Sequence, residues 1–368
     1  MIAGNAWVDG LVRMGVIGLL VPVGVIALTY LERKVIGRLQ MRLGPMRVGP
    51  YGTLQGFADT IKLLTKEDVR PQTADRWTFE LAPFVIVVPV LMALVTLPFT
   101  ADIFVRNLTL GLFYIVAVSG LSIVGFVMAG WGSDNKYALI GGIRAAAQLI
   151  SYEIPLVMAV LAVAMVGQTL NLANIVDNQS DVPYILYQPL AFIIFTVAGL
   201  AELYRQPFDI PVAESEVVGG PFVEYSGIRW SMFQMGEFVN LVLISILGSL
   251  IFLGGWNWPI GSGAPGIAQF VLMLVKTSAF ILFFMWMRAS MPRLRIDQLM
   301  SYCWQLLLPF AFLQIIINGL VLVYVWPDPV MAILSFPATG AALYLTYRAA
   351  RASGVHYQPG FQGVGSVL

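Results

Sequence analysis

Charged side chains are scarce in this sequence. Only 11% of the 368 residues are Asp, Glu, Lys or Arg, whereas 58% are hydrophobic and the mean hydropathy is +0.81. A soluble globular chain carries about 25% charged residues, so this chain has too little polar surface to face water on all sides. Its net charge of +1 creates no field that would attract nucleic acid. The composition therefore predicts an all-α integral membrane protein.

Side chains that bind metals or form disulfides are equally scarce. Cys303 is the only cysteine and His356 the only histidine, so no intrachain disulfide can form. No Cys/His set exists for zinc, haem or an iron–sulfur cluster, and the glycine-rich motifs of nucleotide-binding folds are absent. We interpret Cys303 as a buried thiol in an apolar run and His356 as part of a polar tail. The chain itself therefore carries no motif for a bound electron-transfer centre.

Long apolar stretches dominate what is present. A transmembrane helix needs about 20 apolar residues, and nine stretches qualify: 10–31, 82–104, 108–130, 152–170, 184–203, 234–255, 267–287, 303–326 and 330–347. Pro337 and Gly340 interrupt the ninth, so eight spans are the alternative. The absence of a convincing internal repeat disfavours an inverted-repeat transporter. We predict a single polytopic membrane domain over residues 1–368.

The positive charges concentrate on one side of the predicted membrane. Eighteen of the 21 Lys and Arg residues fall in alternate loops and in the C-terminal tail. Loops rich in Lys and Arg stay in the cytoplasm, so the N-terminus is predicted outside and the C-terminus inside. Nine spans place Arg348 and Arg351 on the cytoplasmic side, which eight spans would not.

Two loops on the predicted cytoplasmic side have distinctive features. Loop 31–81 contains apolar residues at helical spacing within 51–66, which predicts an amphipathic helix at the membrane interface. Membrane topology and contact with anionic lipid would account for the positive charges of this loop, but not for its glycines and prolines. Gly-Pro turns before this helix favour a rigid opening instead of a flexible tether. Loop 204–232 is acidic.

Several ionisable residues lie within or beside predicted spans, where each costs about 2.5–3.5 kcal/mol on insertion scales. One interpretation is a static ion pair between Lys276 and a glutamate. The other is a proton relay, which the number of acids favours because neighbouring carboxylates in a low-dielectric interior cannot all ionise. With Lys276, the candidates are Glu153, Glu202, Asp209, Glu214, Glu216, Glu224 and Glu237.

Several distinctive sequence blocks follow one another between residues 31 and 304. They are 31–34, 37–45, 48–52, 54–55, 58–59, 62–67, 130–131, 135–141, 144–153, 201–202, 205, 207–209, 214–216, 224–227 and 293–300. Together they closely resemble the H subunit of NADH–quinone oxidoreductase (respiratory complex I), whose mitochondrial counterpart is NADH dehydrogenase subunit 1. Val212 stands where many members of that family carry an acid, so the carboxylates here are one fewer.

The resemblance implies a membrane subunit beneath a peripheral arm, with a quinone chamber and an acidic path that couples quinone reduction to proton translocation. The substrate would be ubiquinone or menaquinone, while FMN and iron–sulfur clusters would reside on partner subunits. The path would use the acids named above, with Asp209 beside it. The quinone-binding candidates would be Arg33, Arg38, Arg42, Asp59, Lys62, Phe222, Arg293 and Arg295.

The same resemblance implies partners and location. The chain would contact peripheral-arm subunits on the cytoplasmic face, with small membrane subunits, antiporter-like subunits and lipid laterally, in a bacterial cell membrane. Two alternatives remain at this stage. A related membrane-bound hydrogenase has a similar anchor subunit that need not bind quinone, and a stand-alone ion transporter is opposed by the missing repeat.

Overall fold

The computed structural model describes residues 6–101, 103–259 and 265–352, and no β-strand occurs in these ranges. Side chains are not described for residues 6–14, 16–17, 214–215 and 349–352. The predicted all-α class is therefore confirmed over the part of the chain that the structure covers.

Fifteen α-helices follow one another along the described chain. They are α1 (Ala6–Leu39), α2 (Gln55–Thr65), α3 (Arg76–Leu94), α4 (Gly111–Ser119), α5 (Ser122–Gly132), α6 (Lys136–Gly167), α7 (Leu172–Asp177), α8 (Tyr184–Tyr187), α9 (Pro189–Glu202), α10 (Glu214–Val217), α11 (Gly227–Phe252), α12 (Gly266–Ser290), α13 (Ile296–Tyr302), α14 (Leu308–Val323) and α15 (Pro329–Ala352). Two short 3₁₀ turns, Pro50–Gly52 and Gly220–Phe222, precede α2 and α11, and a π-helical turn, Cys303–Leu307, joins α13 to α14.

Seven helices of the described chain are long and apolar enough to cross a membrane. They are Arg76–Leu94, Gly111–Gly132, Lys136–Gly167, Gly227–Phe252, Gly266–Ser290, Ile296–Val323 and Pro329–Arg348. The predicted count of nine is not confirmed. Two predicted spans are not among these seven helices. The span 184–203 is divided, because Gln188 separates α8 from α9, which has only 14 residues. The span 10–31 lies in α1, a helix of 34 residues.

The helices extend into the predicted loops, so the loops are shorter than predicted. α1 continues to Leu39, α3 begins at Arg76 and α11 begins at Gly227, so loops 31–81 and 204–232 are shorter than the sequence indicated. Hydropathy detects only the apolar part of a helix, whereas the hydrogen-bonded backbone continues through the charged turns at its end. The predicted segment 51–66 contains a helix, α2, which is also shorter than predicted.

The central helix of the bundle is α6, which packs against α5, α9 and α14. Small residues allow the backbones of α5 and α6 to approach closely: a Cβ atom on Gly142 would lie 3.0 Å from the Cα of Gly130. Such small-residue contacts are typical of membrane helix packing. α11 packs between α3 and α12.

The segment between α9 and α11 is held tightly on the bundle by glycine. Gly220 has φ +58°, and a Cβ atom there would overlap the carbonyl oxygen of Pro211. A Cβ on Gly141 of α6 would overlap the Cα of Gly220. Only glycine combines this backbone conformation with so close an approach. The backbone around Gly220 therefore lies directly against α6.

Candidate functional site

A cavity of about 860 Å³ lies between α1, α11 and the segment that joins α9 to α11. Phe222, Trp230, Phe233 and Phe238 give it aromatic walls, and Val212 adds apolar surface. Its charged lining comprises Glu32, Arg33, Arg42, Arg205, Asp209, Glu237, Arg288 and Arg293. The lining thus combines aromatic side chains with eight charged ones, and convergent polar groups of this kind fix the orientation of a small molecule in a pocket.

Glu32 is clamped between two arginines on the wall of this cavity. Its Oε2 atom lies 2.8 Å from Nη1 of Arg205, and Arg288 donates a hydrogen bond to its Oε1. Both Glu32 and Arg205 are only 5% exposed. Burial lowers the pKa of the Arg205 guanidinium, and the negative charge of Glu32 opposes that shift. The clamp joins α1, the loop after α9 and α12 through charged groups.

Glu237 connects the large cavity to a second, smaller one. It lines both cavities, as does Tyr204. The smaller cavity has about 20 Å³ of space and is also lined by Ser122, Glu202 and Asn240. A space of this size accommodates about one water molecule. Glu237 and Tyr204 therefore border both the large cavity and the small one inside the helix bundle.

Beyond the small cavity the carboxylates continue towards α6. Glu202 shares a hydrogen bond with Asn240 and interacts electrostatically with Glu153 on α6. On the cavity side, Glu237 interacts electrostatically with Arg205 and Arg288, and more weakly with Asp209 and Glu32. We call the series Glu237, Glu202 and Glu153 the carboxylate line. Its members come from α11, α9 and α6, so only packing brings them together.

Tyr204 lies at the turn between the line and the cavity. Its backbone is left-handed, with φ +49°, and its hydroxyl group donates to the carbonyl oxygen of Ala145 at 3.4 Å. Burial raises its pKa well above the usual value, and the negative charges of Glu202 and Glu237 raise it further. Tyr204 is therefore a neutral phenol.

Two other predicted acids lie elsewhere, on the outer side of the segment before α11. Glu216 is 46% exposed and pairs with Arg144 at 2.6 Å and with Arg293 at 3.5 Å. Glu224 accepts a 2.6 Å hydrogen bond from Asn135 and lines a separate surface groove. The side chain of Glu214 lies outside the described residues.

The predicted quinone-binding residues divide into two groups. Arg33, Arg42, Phe222 and Arg293 line the large cavity. Asp59 reaches it indirectly, through a 2.6 Å ion pair with Arg33. The three remaining candidates are exposed and do not line the large cavity; they are Arg38, Lys62 and Arg295.

Asp59 has a perturbed carboxyl group on α2. Burial raises its pKa, but hydrogen bonds from Arg33 and Gln55 and the positive charges of Arg33 and Lys62 outweigh that effect. The resulting pKa lies below the usual value, so the Asp59–Arg33 pair is ionised at neutral pH. The pair fastens α2 to α1 beside the cavity.

Lys276 lies apart from the carboxylates. Its ammonium group donates to the backbone carbonyl oxygens of Leu253, Gly255 and Trp258 at 2.5, 2.7 and 2.6 Å. These carbonyls follow the C-terminal end of α11, whereas Glu237 is the eleventh of its 26 residues. All three ammonium protons thus have acceptors within the described chain. The described contacts show no ion pair between Lys276 and a glutamate.

Sequence reasoning missed several residues of the site. Glu32, Arg205 and Arg288 form the clamp, and Tyr204 and Asn240 line the small cavity. Glu32 had a usable signal, since it is an acid directly beside the first predicted span. Asn240 had none, because an uncharged amide within an apolar run matches no motif. No cluster of His, Cys, Asp or Glu residues suited to a metal ion occurs among the described side chains.

The fold and site define a multi-helix membrane protein with a charged cavity that continues into a carboxylate line. A family model described as NADH dehydrogenase matches residues 12–319. The chain is 48% identical over 295 residues to the NADH-quinone oxidoreductase H subunit of Brevibacillus brevis, covering 80% of this chain and 88% of that relative. It is 47% identical over 315 residues to the protein of the same name from Geobacillus kaustophilus, covering 85% and 92%.

A more distant relative, the NADH-quinone oxidoreductase H subunit of Dehalococcoides mccartyi, is 42% identical over 313 residues, covering 85% of this chain and 87% of the relative. The chain belongs to the NADH dehydrogenase family of membrane subunits. The sequence blocks between residues 31 and 304 therefore identified the family correctly.

Proposed function

We propose that this chain is the membrane subunit of a proton-translocating NADH–quinone oxidoreductase that forms part of the quinone chamber. The observation that carries the proposal is the cavity of about 860 Å³ joined through Glu237 to the carboxylate line. Known ligand pockets have volumes of about 300–1,000 Å³. The names of the relatives, all H subunits of this oxidoreductase, support the same function.

The lining suits both parts of a quinone. Aromatic walls pack against an isoprenoid tail, which is apolar and flexible. Arginine side chains donate hydrogen bonds to quinone carbonyl oxygens and stabilise negative charge that develops on reduction. Arg33 and Arg293 line the cavity beside Phe222, so a headgroup passing along it meets cationic donors and an aromatic ring together.

The carboxylate line is proposed to link quinone chemistry to proton movement. Two-electron reduction of a quinone takes up two protons, and a charge change in a low-dielectric cavity acts strongly over several ångströms. Glu237 would respond first because it lines the cavity, and Glu202 and Glu153 would follow. Asp209, Glu214, Glu216 and Glu224 would supply or receive protons at the outer end, and Lys276 remains a prediction without a contact to the line.

The proposed arrangement in the membrane follows from the charges. The cavity would face the cytoplasm, beneath peripheral subunits that carry FMN and the iron–sulfur clusters, with small membrane and antiporter-like subunits beside the bundle. α2 would lie in the interface, since Phe57, Ile61 and Leu64 are 48%, 62% and 60% exposed and an apolar surface of this kind is stable against lipid. The N-terminus would be outside.

Photo-crosslinking of the purified complex with an azido-quinone tests the chamber. We expect labelled peptides from residues 29–45 or 222–238, and we expect a quinone-site inhibitor to prevent their labelling. Phe222→Ala should reduce the labelling of its own segment, whereas Phe113→Ala, an exposed phenylalanine outside the cavity, should not. Labelling confined to other subunits would reject the chamber and favour the hydrogenase-type anchor.

A further inference from the structure

Gly120 lies at the break between α4 and α5, directly opposite Glu153. A Cβ atom built on Gly120 would lie 2.6 Å from Oε1 of Glu153 and 3.5 Å from its Cδ. The closest of these approaches is one that real Cβ atoms do not show. The carboxylate at the inner end of the line therefore rests against bare backbone of the neighbouring helix.

The backbone of Gly120 does not itself require glycine. Its φ of −60° and ψ of −24° are right-handed helical values that every L-residue adopts. Around it the hydrogen bonds shorten to three-residue spacing, with Leu121 N donating to Val118 O at 3.2 Å and Ile123 N donating to Gly120 O at 3.2 Å. Since neither conformation nor hydrogen bonding needs a glycine here, the space for the carboxylate is the remaining structural reason.

We propose that Gly120 is a positioning residue that seats the Glu153 carboxylate beside Glu202. The proposal rests on the proposed function, because it assigns Gly120 to the carboxylate line. Glu153 and Glu202 interact electrostatically, so a shift of either carboxylate changes the interaction between them. A methyl group at position 120 moves the Glu153 head group, which is the far end of a flexible side chain, and leaves the helices in place.

The test uses Gly120→Ala in the intact complex. Misplacing a reacting group by about 1 Å can cost a hundredfold in rate, and we expect a loss of about tenfold in quinone-coupled proton translocation for this smaller displacement. The matched control is Gly319→Ala, where the new Cβ would meet only Met165 Cε at 3.9 Å. That control should keep the full rate.

A spectroscopic readout separates positioning from a general loss of activity. The infrared carboxyl band of Glu153, identified by its disappearance in Glu153→Gln, should shift in Gly120→Ala and stay unchanged in Gly319→Ala. An unshifted band would overturn the proposal. A shifted band with full proton translocation would keep Gly120 as a positioning residue while rejecting the carboxylate line as the coupling route.

Two double variants complete the test. Gly120→Ala combined with Glu153→Asp should recover activity relative to Gly120→Ala, because the shorter side chain withdraws from the new methyl group. Gly120→Ala combined with Glu153→Gln should lose nothing beyond Glu153→Gln alone, as expected for residues that act as one unit. If Gly120→Ala fails to assemble and Glu153→Asp does not restore assembly, the methyl group clashes with the helix and the proposal is wrong.

Discussion

Two regions of the molecule hold a buried cation in different ways. On the wall of the large cavity, the buried Arg205 meets the carboxylate of Glu32, which Arg288 also contacts. Beyond the C-terminal end of α11, Lys276 meets three neutral backbone carbonyls. A carboxylate offers the cation a full opposite charge, whereas a carbonyl offers only a dipole. The comparison teaches that burial alone does not tell how a cation is stabilised, because one region supplies an opposite charge and the other supplies dipoles.

The largest expected effect is the loss of the clamp in Glu32→Gln. Removing one partner of a buried ion pair costs about 3–5 kcal/mol because the other charge stays buried without compensation. We expect the variant complex to inactivate at much lower temperature, as measured by residual quinone reductase activity after heating.

Glu80→Gln is the matched control for that variant. Glu80 is 34% exposed and pairs with Arg70 at 3.2 Å and Arg76 at 3.5 Å, whose side chains are 39% and 70% exposed. Its third partner, Arg229, is 23% exposed but lies 4.0 Å away. Exposed pairs are worth about 0–1 kcal/mol, so this variant should inactivate near the normal temperature. Equal effects of the two substitutions would show that the clamp contributes no more than a surface pair.

Glu237→Gln sharpens the comparison at the cavity end. A glutamine keeps the shape of the side chain but cannot take up a proton, and loss of one positioned proton-transfer group typically lowers a rate by about 10²-fold or more. We expect a loss of that order in quinone-coupled proton translocation while azido-quinone labelling persists. Full translocation would remove Glu237 from the proposed line.

Lys276→Met tests the second region of the comparison, beyond the C-terminal end of α11. The three carbonyls lose a charged donor, and leaving buried acceptors unsatisfied costs about 1–3 kcal/mol each, offset in part by the desolvation of the lysine that no longer applies. We expect a complex that inactivates at lower temperature but translocates the normal number of protons per electron. A reduced proton-to-electron ratio with normal thermal stability would instead place Lys276 in the relay.

The smallest effect concerns the pair of Asp59 and Arg33. Their side chains are 24% and 45% exposed, so the pair contributes less than about 1 kcal/mol. Because the pKa of Asp59 is lowered in the fold, this contribution is present at neutral pH and is lost as the pH falls through the lowered pKa. A fluorophore on Ile61→Cys should report greater mobility of α2 in acid.

Asp59→Asn provides the control for that measurement. The fluorophore should then be more mobile already at neutral pH, and its mobility should no longer change with acidification in the range where Asp59 titrates. An unchanged pH response in Asp59→Asn would mean that another group holds α2 on α1.

Many residues of the site could be named from the sequence, but the sequence did not show which of them lie together. Glu237, Arg33 and Phe222 line the large cavity and Glu202 lines the small one, whereas the roles that the family resemblance implies for them stay predictions. The resemblance did not separate these residues from Glu216 and Glu224, which lie elsewhere, because it names acids by their position along the chain and not by the contacts that packing gives them. The close approach of Gly141 to Gly220 is one such contact, and it brings the segment before α11 against α6.

The sequence by itself determined the membrane environment, the helical class and the family, because hydropathy and long motifs are properties of consecutive residues. The tertiary structure alone decided that Glu32 holds two arginines, that Lys276 holds carbonyls and that a glycine faces Glu153. Those contacts join helices far apart in the chain. Whether a buried charge meets an opposite charge, a carbonyl or empty space depends on helix packing, and no local pattern encodes it.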